Sequence, residues 1–200
     1  MTHHHHDDDV IVRKIEVGEM ENNVYVLECP HTHEAFLVDA SFEAEKILAE
    51  ASGCDIVAIL QTHGHFDHVQ ALAELKERLA VPVYAHPSDD YPVAIDRVLS
   101  DGDVLTFGKG HEVKVLHTPG HTPGGVCFLT GNHLIAGDTL FPGGPGNTWG
   151  DPDAFAQIID QIEAKLFTLP DETIVYPGHG KGTTIGAEKP HLQEWKDRGW

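Results

Sequence analysis

Within Thr62-His63-Gly64-His65-Phe66-Asp67-His68, four side chains able to bind metal fall inside six residues. Imidazole and carboxylate together suit zinc and its first-row neighbours. His63 and His65 are two apart and share one face of an extended segment. Asp67 and His68 are adjacent and must diverge. One short loop can therefore serve two neighbouring ions. Three further candidates stand apart: His121 in His117-Thr118-Pro119-Gly120-His121-Thr122-Pro123-Gly124-Gly125, Asp138 in Ala136-Gly137-Asp138-Thr139, and His179 in Tyr176-Pro177-Gly178-His179-Gly180. Each sits in a turn rich in Gly or Pro beside an apolar run that reads as a strand. Side chains on loops held by a rigid sheet can converge on one site.

Taken singly, each candidate has an ordinary use. A lone His is usually a surface or hydrogen-bonded residue, and Asp-Thr after a strand is often a turn or cap. The order of the whole set says more. His-x-His-x-Asp-His followed by separated His, Asp and His resembles the metallo-β-lactamase-fold hydrolases, nearest the glyoxalase II-like (hydroxyacylglutathione hydrolase-like) branch. The resemblance runs from about Val10 to about Gly186. It implies that His63, His65 and His121 hold one metal ion, that Asp67, His68 and His179 hold a second, and that Asp138 bridges the two. It also implies a four-layer αββα sandwich, a mixed α/β (α+β) architecture with two sheets face to face and the ligands at one edge. Pattern alone supports only a single mixed α and β domain.

The elements that must position these residues are legible in outline. Val10–Val17, Val24–Glu28 and Ala35–Asp39 read as strands, and Ser41–Ser52 carries Ala44, Ile47, Leu48 and Ala51 at helical spacing. Asp55–Gln61 is a near-continuous apolar strand ending at the metal loop. Val69–Ala80 has Leu72, Leu75 and Leu79 on one helical face, and Pro82–Ala85 is a short strand. Asp101-Gly102-Asp103 is a turn, Val113–His117 a strand. Val126–Thr130 and His133–Ala136 flank Gly131-Asn132 as a hairpin. Asp151-Pro152 caps a helix whose stripe is Phe155, Ile158, Ile159, Ile162 and Leu166. Thr173–Tyr176 is a last strand before His179.

Two hundred residues suit one sizeable core. Residues 1–9, Met-Thr-His-His-His-His-Asp-Asp-Asp, read as a tag or disordered leader and are set aside, leaving 10–200 as one catalytic domain. The formal charge of −19 disfavours nucleic acid and anionic membranes, and no apolar stretch reaches 18 residues. Cys29, Cys54 and Cys127 are odd in number and widely spaced. Cys54 and Cys127 lie by apolar runs and read as buried free thiols, in keeping with a reducing cytoplasm. The remaining histidines, His31, His33, His86, His111, His117, His133 and His191, read as non-ligands. His31 and His33 mark a hairpin tip, and His117 lies four residues before His121.

The expected activity is hydrolysis of a small acyl thioester, with two divalent ions, zinc first and iron or manganese next, activating a bridging hydroxide. Asp138 would hold the metal pair and Asp67 would orient the hydroxide. Two departures from the family pattern weaken the expectation of glutathione as carrier. Asn147, with Trp149 nearby, stands where a basic residue is usual, and only 21 residues follow His179. The alternatives are a lactonase of the same fold, a mononuclear-iron persulfide dioxygenase, and a non-catalytic metal-binding protein.

Overall fold

The computed structural model describes residues 3–6 and 10–199. Two sheets form its centre. The first runs in sequence order: β1 (His3–His6), β2 (Ile11–Val17), β3 (Asn22–Glu28), β4 (Glu34–Val38), β5 (Asp55–Leu60), β6 (Val83–Ala85) and β7 (Arg97–Val98). Pairing is antiparallel from β1 to β4 and parallel from β4 to β7. The second sheet is built from β8 (Val104–Phe107), β9 (His111–His117), β10 (Val126–Thr130) and β11 (His133–Gly137). Beyond a small hairpin of β12 (Leu140–Phe141) and β13 (Gly144–Pro145), it is completed by β14 (Ile174–Pro177) and β15 (Thr183–Thr184). Its order is β15-β14-β11-β10-β9-β8, with β11 and β14 parallel.

Three apolar clusters mark three interfaces, and so four layers. Tyr25, Leu27, Phe36 and Leu60 of the first sheet meet Leu105, Val113, Val115 and Phe128 of the second. The alternate residues of the same strands, Val24, Val26, Leu37 and Ile59, pack outward with Ile47, Leu72 and Leu75 of the helices α1 (Ala44–Glu50) and α3 (Leu72–Leu79). Between these helices lies the single turn α2 (Phe66–Val69). Cys127, Leu134 and Ala136 face Ile158, Ile159, Ile162 and Leu166 of α4 (Pro152–Gln161) and its π-helical continuation Ile162–Leu166. Successive strand residues point to opposite faces, so both faces of a central strand must be apolar once helices cover the sheet. That is why β3 is buried along its whole length. Ile158 and Ile162 are fully buried and each contributes about 1.5–3 kcal/mol of transfer free energy.

Several boundaries differ from the sequence expectation. The helix expected over Val69–Ala80 is two pieces, and Asp67 and His68 lie in the first of them rather than in a loop. The helix expected from Ser41 begins at Ala44. Strand β3 starts two residues earlier than expected, at Asn22, and β14 runs on to Pro177. Cys54 is only half-buried, whereas Cys29 and Cys127 are buried. The backbone of His3–His6, set aside above, pairs along β2 with His3 opposite Lys14; residues 1, 2 and 7–9 lie outside the described residues. The segment after His179 folds back as β15, α5 (Ile185–Glu188) and α6 (Leu192–Arg198), placing Trp195 in the second helical layer.

Candidate metal centre

Every candidate ligand follows the carboxyl end of a strand. His63 and His65 follow β5, and α2 then carries Asp67 and His68. His121 lies beyond β9, Asp138 directly after β11, and His179 two residues after β14. Because β11 and β14 are parallel neighbours, Asp138 and His179 emerge side by side. The sheets are tied at this edge: Val126 N–H donates to the Thr62 carbonyl (2.8 Å) and Asn23 N–H to the Gly178 carbonyl (2.7 Å). Gly178 is required by close approach, since a Cβ there would stand 2.1 Å from Asp138 Oδ1.

The structure brings all seven predicted residues together. Three overlapping groups have ligand atoms within 4.8 Å of one another: His63, His65 and His121; His63, His68 and Asp138; Asp67, His68 and His179. Asp138 Oδ1 is 3.5 Å from His68 Nε2, while Oδ2 is 3.4 Å from His121 Nε2 and 3.5 Å from His179 Nε2. Asp67 Oδ2 is 3.2 Å from His179 Nε2 and 3.6 Å from His68 Nε2.

Four imidazoles are oriented through Nδ1. His63 Nδ1–H donates to Thr62 Oγ1 (3.0 Å), His68 Nδ1–H to Asp39 Oδ2 (2.9 Å), His121 Nδ1–H to the Asn147 carbonyl (2.8 Å) and His179 Nδ1–H to the Met20 carbonyl (2.8 Å). Such outer contacts fix tautomer and ring direction, leaving Nε2 for a ligand. His63 Nε2, His121 Nε2 and Asp138 Oδ1 are buried with no hydrogen-bond partner in the protein. Buried polar atoms are ordinarily satisfied, and cations placed among these donors would satisfy all three. The donor set therefore fits divalent ions.

Protonation follows the same geometry. Burial, reinforced by neighbouring imidazoles, holds His63 well below the usual imidazole range, and burial also lowers His65 and His121. Burial opposes charge on His68 and His179 as well. There it is outweighed by Asp39 for His68, which is raised, and by Asp138 and Asp67 for His179, pushed up to about 10. Against the cost of burial, His179, His68 and Asn22 keep Asp67 well below the carboxylate range, and His179, His68 and His121 lower Asp138.

Three contributors escaped the sequence reading. Asp39 accepts from Thr62 N–H (2.8 Å), Thr62 Oγ1–H (2.9 Å) and His68 Nδ1–H. Its signal was present, because an Asp directly after the apolar run Ala35–Val38 repeats the placement of Asp138. Asn22 Nδ2 donates to Asp67 Oδ2 (2.9 Å), and nothing in its sequence surroundings marks it. Asp89 takes the amides of Gly64 (2.9 Å) and Gly124 (2.7 Å), joining the loop of His63 and His65 to that of His121. A Cβ at Gly64 would lie 2.8 Å from Asp89 Cβ. The histidines read as non-ligands lie outside the three groups. His117 stacks on His86 with ring centroids 4.0 Å apart, and its Nε2–H donates to the Pro123 carbonyl (2.9 Å), within the segment that carries His121.

Residues 17–179 match the Metallo-beta-lactamase superfamily, and the chain belongs to it. It is 37% identical over 177 residues to a hydroxyacylglutathione hydrolase of Polaromonas sp., covering 85% of this chain and 66% of that protein, just under two thirds of its length. The crystal structure of ETHE1 from Myxococcus xanthus aligns with a TM-score of 0.82 at 30% identity, over 90% of this chain and 82% of that one. The structure of TTHA1623 in a di-iron-bound form aligns with a TM-score of 0.76 at 37% identity, over 88% and 96%. The αββα expectation is met by the fold and by these neighbours. No helix among the described residues is long and apolar enough to cross a membrane.

Proposed function

We propose that the chain is a dinuclear metal-dependent hydrolase cleaving small acyl thioesters. His63, His65 and His121 would hold one ion, Asp67, His68 and His179 the second, and Asp138 would serve both. The observation that carries this reading is the Asp138 carboxylate, with one oxygen facing His68 and the other facing both His121 and His179. When bound, the ions supply water of lowered pKa and polarise an acyl carbonyl.

The chain's own residues supply orientation and dryness. Thr62, Asp39, Asn147 and Met20 aim four imidazoles before any ligand arrives, so little reorganisation is left for the reaction. Asp67, ionised and anchored by Asn22, presents a carboxylate able to accept a hydrogen bond from an attacking water. Burial of His63, Asp67 and His68 excludes bulk solvent from the floor of the site.

Thioester chemistry is supported by the similarity to a hydroxyacylglutathione hydrolase. Zinc is the ion of first choice, and mixed imidazole and carboxylate donors also suit iron and manganese. A cytoplasmic location is supported by the three free thiols. The test is kcat/KM, on protein of defined metal content, for one acyl group carried by glutathione, by a simpler thiol and by an alcohol, beside a lactone and a persulfide. Thioesters are expected to outrun the oxygen ester, with little preference for glutathione. Turnover of the lactone or the persulfide alone overturns the assignment.

A further inference from the structure

Among the described residues, the exposed large apolar side chains are Met20, Phe66, Val98, Val104 and Trp149. Three of these five adjoin the candidate ligands, one within a ligand-bearing segment and two in segments that contact a ligand. Phe66 stands between His65 and Asp67. Met20 offers its carbonyl to His179 Nδ1–H. Trp149 brings its ring centroid within 5.2 Å of His65 and 5.1 Å of His121. Scattered single apolar residues on a surface need no explanation, whereas a concentration at a site does.

Trp149 is held in place against local preference. Its φ is +52°, a region bulky residues avoid. Asn147 Oδ1 accepts its N–H (2.7 Å), and the Asn147 carbonyl accepts His121 Nδ1–H. The indole is thus coupled to a candidate ligand while 64% of the residue faces solvent. Strained backbone of this kind collects at ligand clamps. The segment Pro142-Gly143-Gly144-Pro145-Gly146-Asn147-Thr148-Trp149-Gly150 contains no charged residue; Thr148 is buried, the exposed Asn147 has its Oδ1 engaged by the Trp149 N–H, and the large side chain it exposes beside the site is the Trp149 indole.

We propose that Trp149, Phe66 and Met20 form the acyl subsite and select thioesters of apolar acyl groups, aryl-bearing groups above all, over polar hydroxyacyl groups. The proposal rests on the thioester reading above and specifies its substrate class. In the reaction, water's oxygen bonds to the acyl carbon and the C–S bond breaks. The products are a carboxylate, a thiol and one released proton. The acyl chain lies on the indole, where its flat face meets aromatic and apolar groups.

The experiment compares kcat/KM for phenylacetyl, hexanoyl, acetyl and lactoyl thioesters of N-acetylcysteamine on the metal-loaded full chain. The phenylacetyl ester is expected to lead the lactoyl ester by about tenfold or more, the scale of one aromatic contact plus its buried area. Trp149→Ala should collapse that ratio, Trp149→Phe should restore most of it, and Phe66→Ala should lower it independently. A second readout needs no turnover: in a Trp200→Phe background, phenylacetate should quench tryptophan fluorescence, and adding Trp149→Phe should abolish the quenching, since Trp195, the tryptophan that remains, is buried. Lactoyl preference, or a flat acyl series unchanged by Trp149→Ala, overturns the subsite while leaving the thioester reading intact. Quenching through Trp149 without cleavage of any thioester supports the subsite and overturns the thioester reading instead.

Discussion

Replacing Asp39 by Asn tests how the site is aimed. Asp39 is 2% exposed and accepts three hydrogen bonds, two of them on Oδ2, from His68 Nδ1–H and Thr62 Oγ1–H. An asparagine can keep an acceptor toward Thr62 N–H, but its NH2 group then faces both remaining donors. The Thr62 hydroxyl can rotate away. The imidazole cannot, and its remedy is to move its proton to Nε2, the atom that faces Asp67, Asp138 and His179. That tautomer has no lone pair for an ion. Loss of an outer contact of this kind lowers metal affinity by about 10–100-fold, or about 1.4–2.7 kcal/mol. Two hydrogen bonds to a charged acceptor, less what Thr62 recovers, correspond to about 2–4 kcal/mol of folding stability. A domain of ordinary stability survives that loss. The His63, His65 and His121 group senses Asp39 only through Thr62 Oγ1 and should weaken less. The assay is stepwise zinc titration against a chromophoric chelator, with urea unfolding of the metal-free protein alongside. Equal weakening at both steps, or no weakening, would refute the argument that Asp39 acts through His68.

Asp138→Ala should retain the fold but lose cooperative metal uptake and most turnover; metal analysis after removal of residues 1–9 checks this, and unchanged stoichiometry and rate contradict a shared carboxylate. Asp89→Ala frees the Gly64 and Gly124 amides and should cost about 2 kcal/mol, or roughly 4–8 °C in Tm, with weaker uptake at the His63, His65 and His121 group; a Tm within error of the parent removes Asp89 as a clamp. In the metal-free protein, His179 is raised to about 10 from the ordinary imidazole range. Its stabilising proton is therefore fully present below about pH 6.5 and is lost as pH rises through about 10. His63, His65 and His121 are lowered, so their contribution is present above that range and is lost as pH falls. Metal-free Tm should thus peak near neutrality, and His179→Ala should flatten the alkaline limb; an unchanged limb in circular dichroism melts would contradict a bound proton there.

The sequence by itself determined the set of candidate donors and the placement of each beyond the end of a strand, though not that Asp67 and His68 sit in a helical turn. Metal-capable types are few, their spacing is local, and an apolar run ending in Gly, Pro and His is visible without coordinates. It also determined the stripe of α4 and the cap at Asp151, where the side chain accepts from the amides of Asp153 and Ala154. Tertiary structure alone decided which donors meet. Asp138 and His179 are neighbours because β11 and β14 pair in parallel, a contact across about forty residues that no local pattern encodes. The same holds for Asp39, Asn22 and Asp89, each of which acts on a partner from a distant segment. The break between α2 and α3 is decided there too, since Ala71 N–H is drawn to the carbonyls of Ala40 and Ser41 instead of continuing one helix. Helical periodicity reports which face is apolar, and it cannot report that a distant carbonyl will compete for an amide.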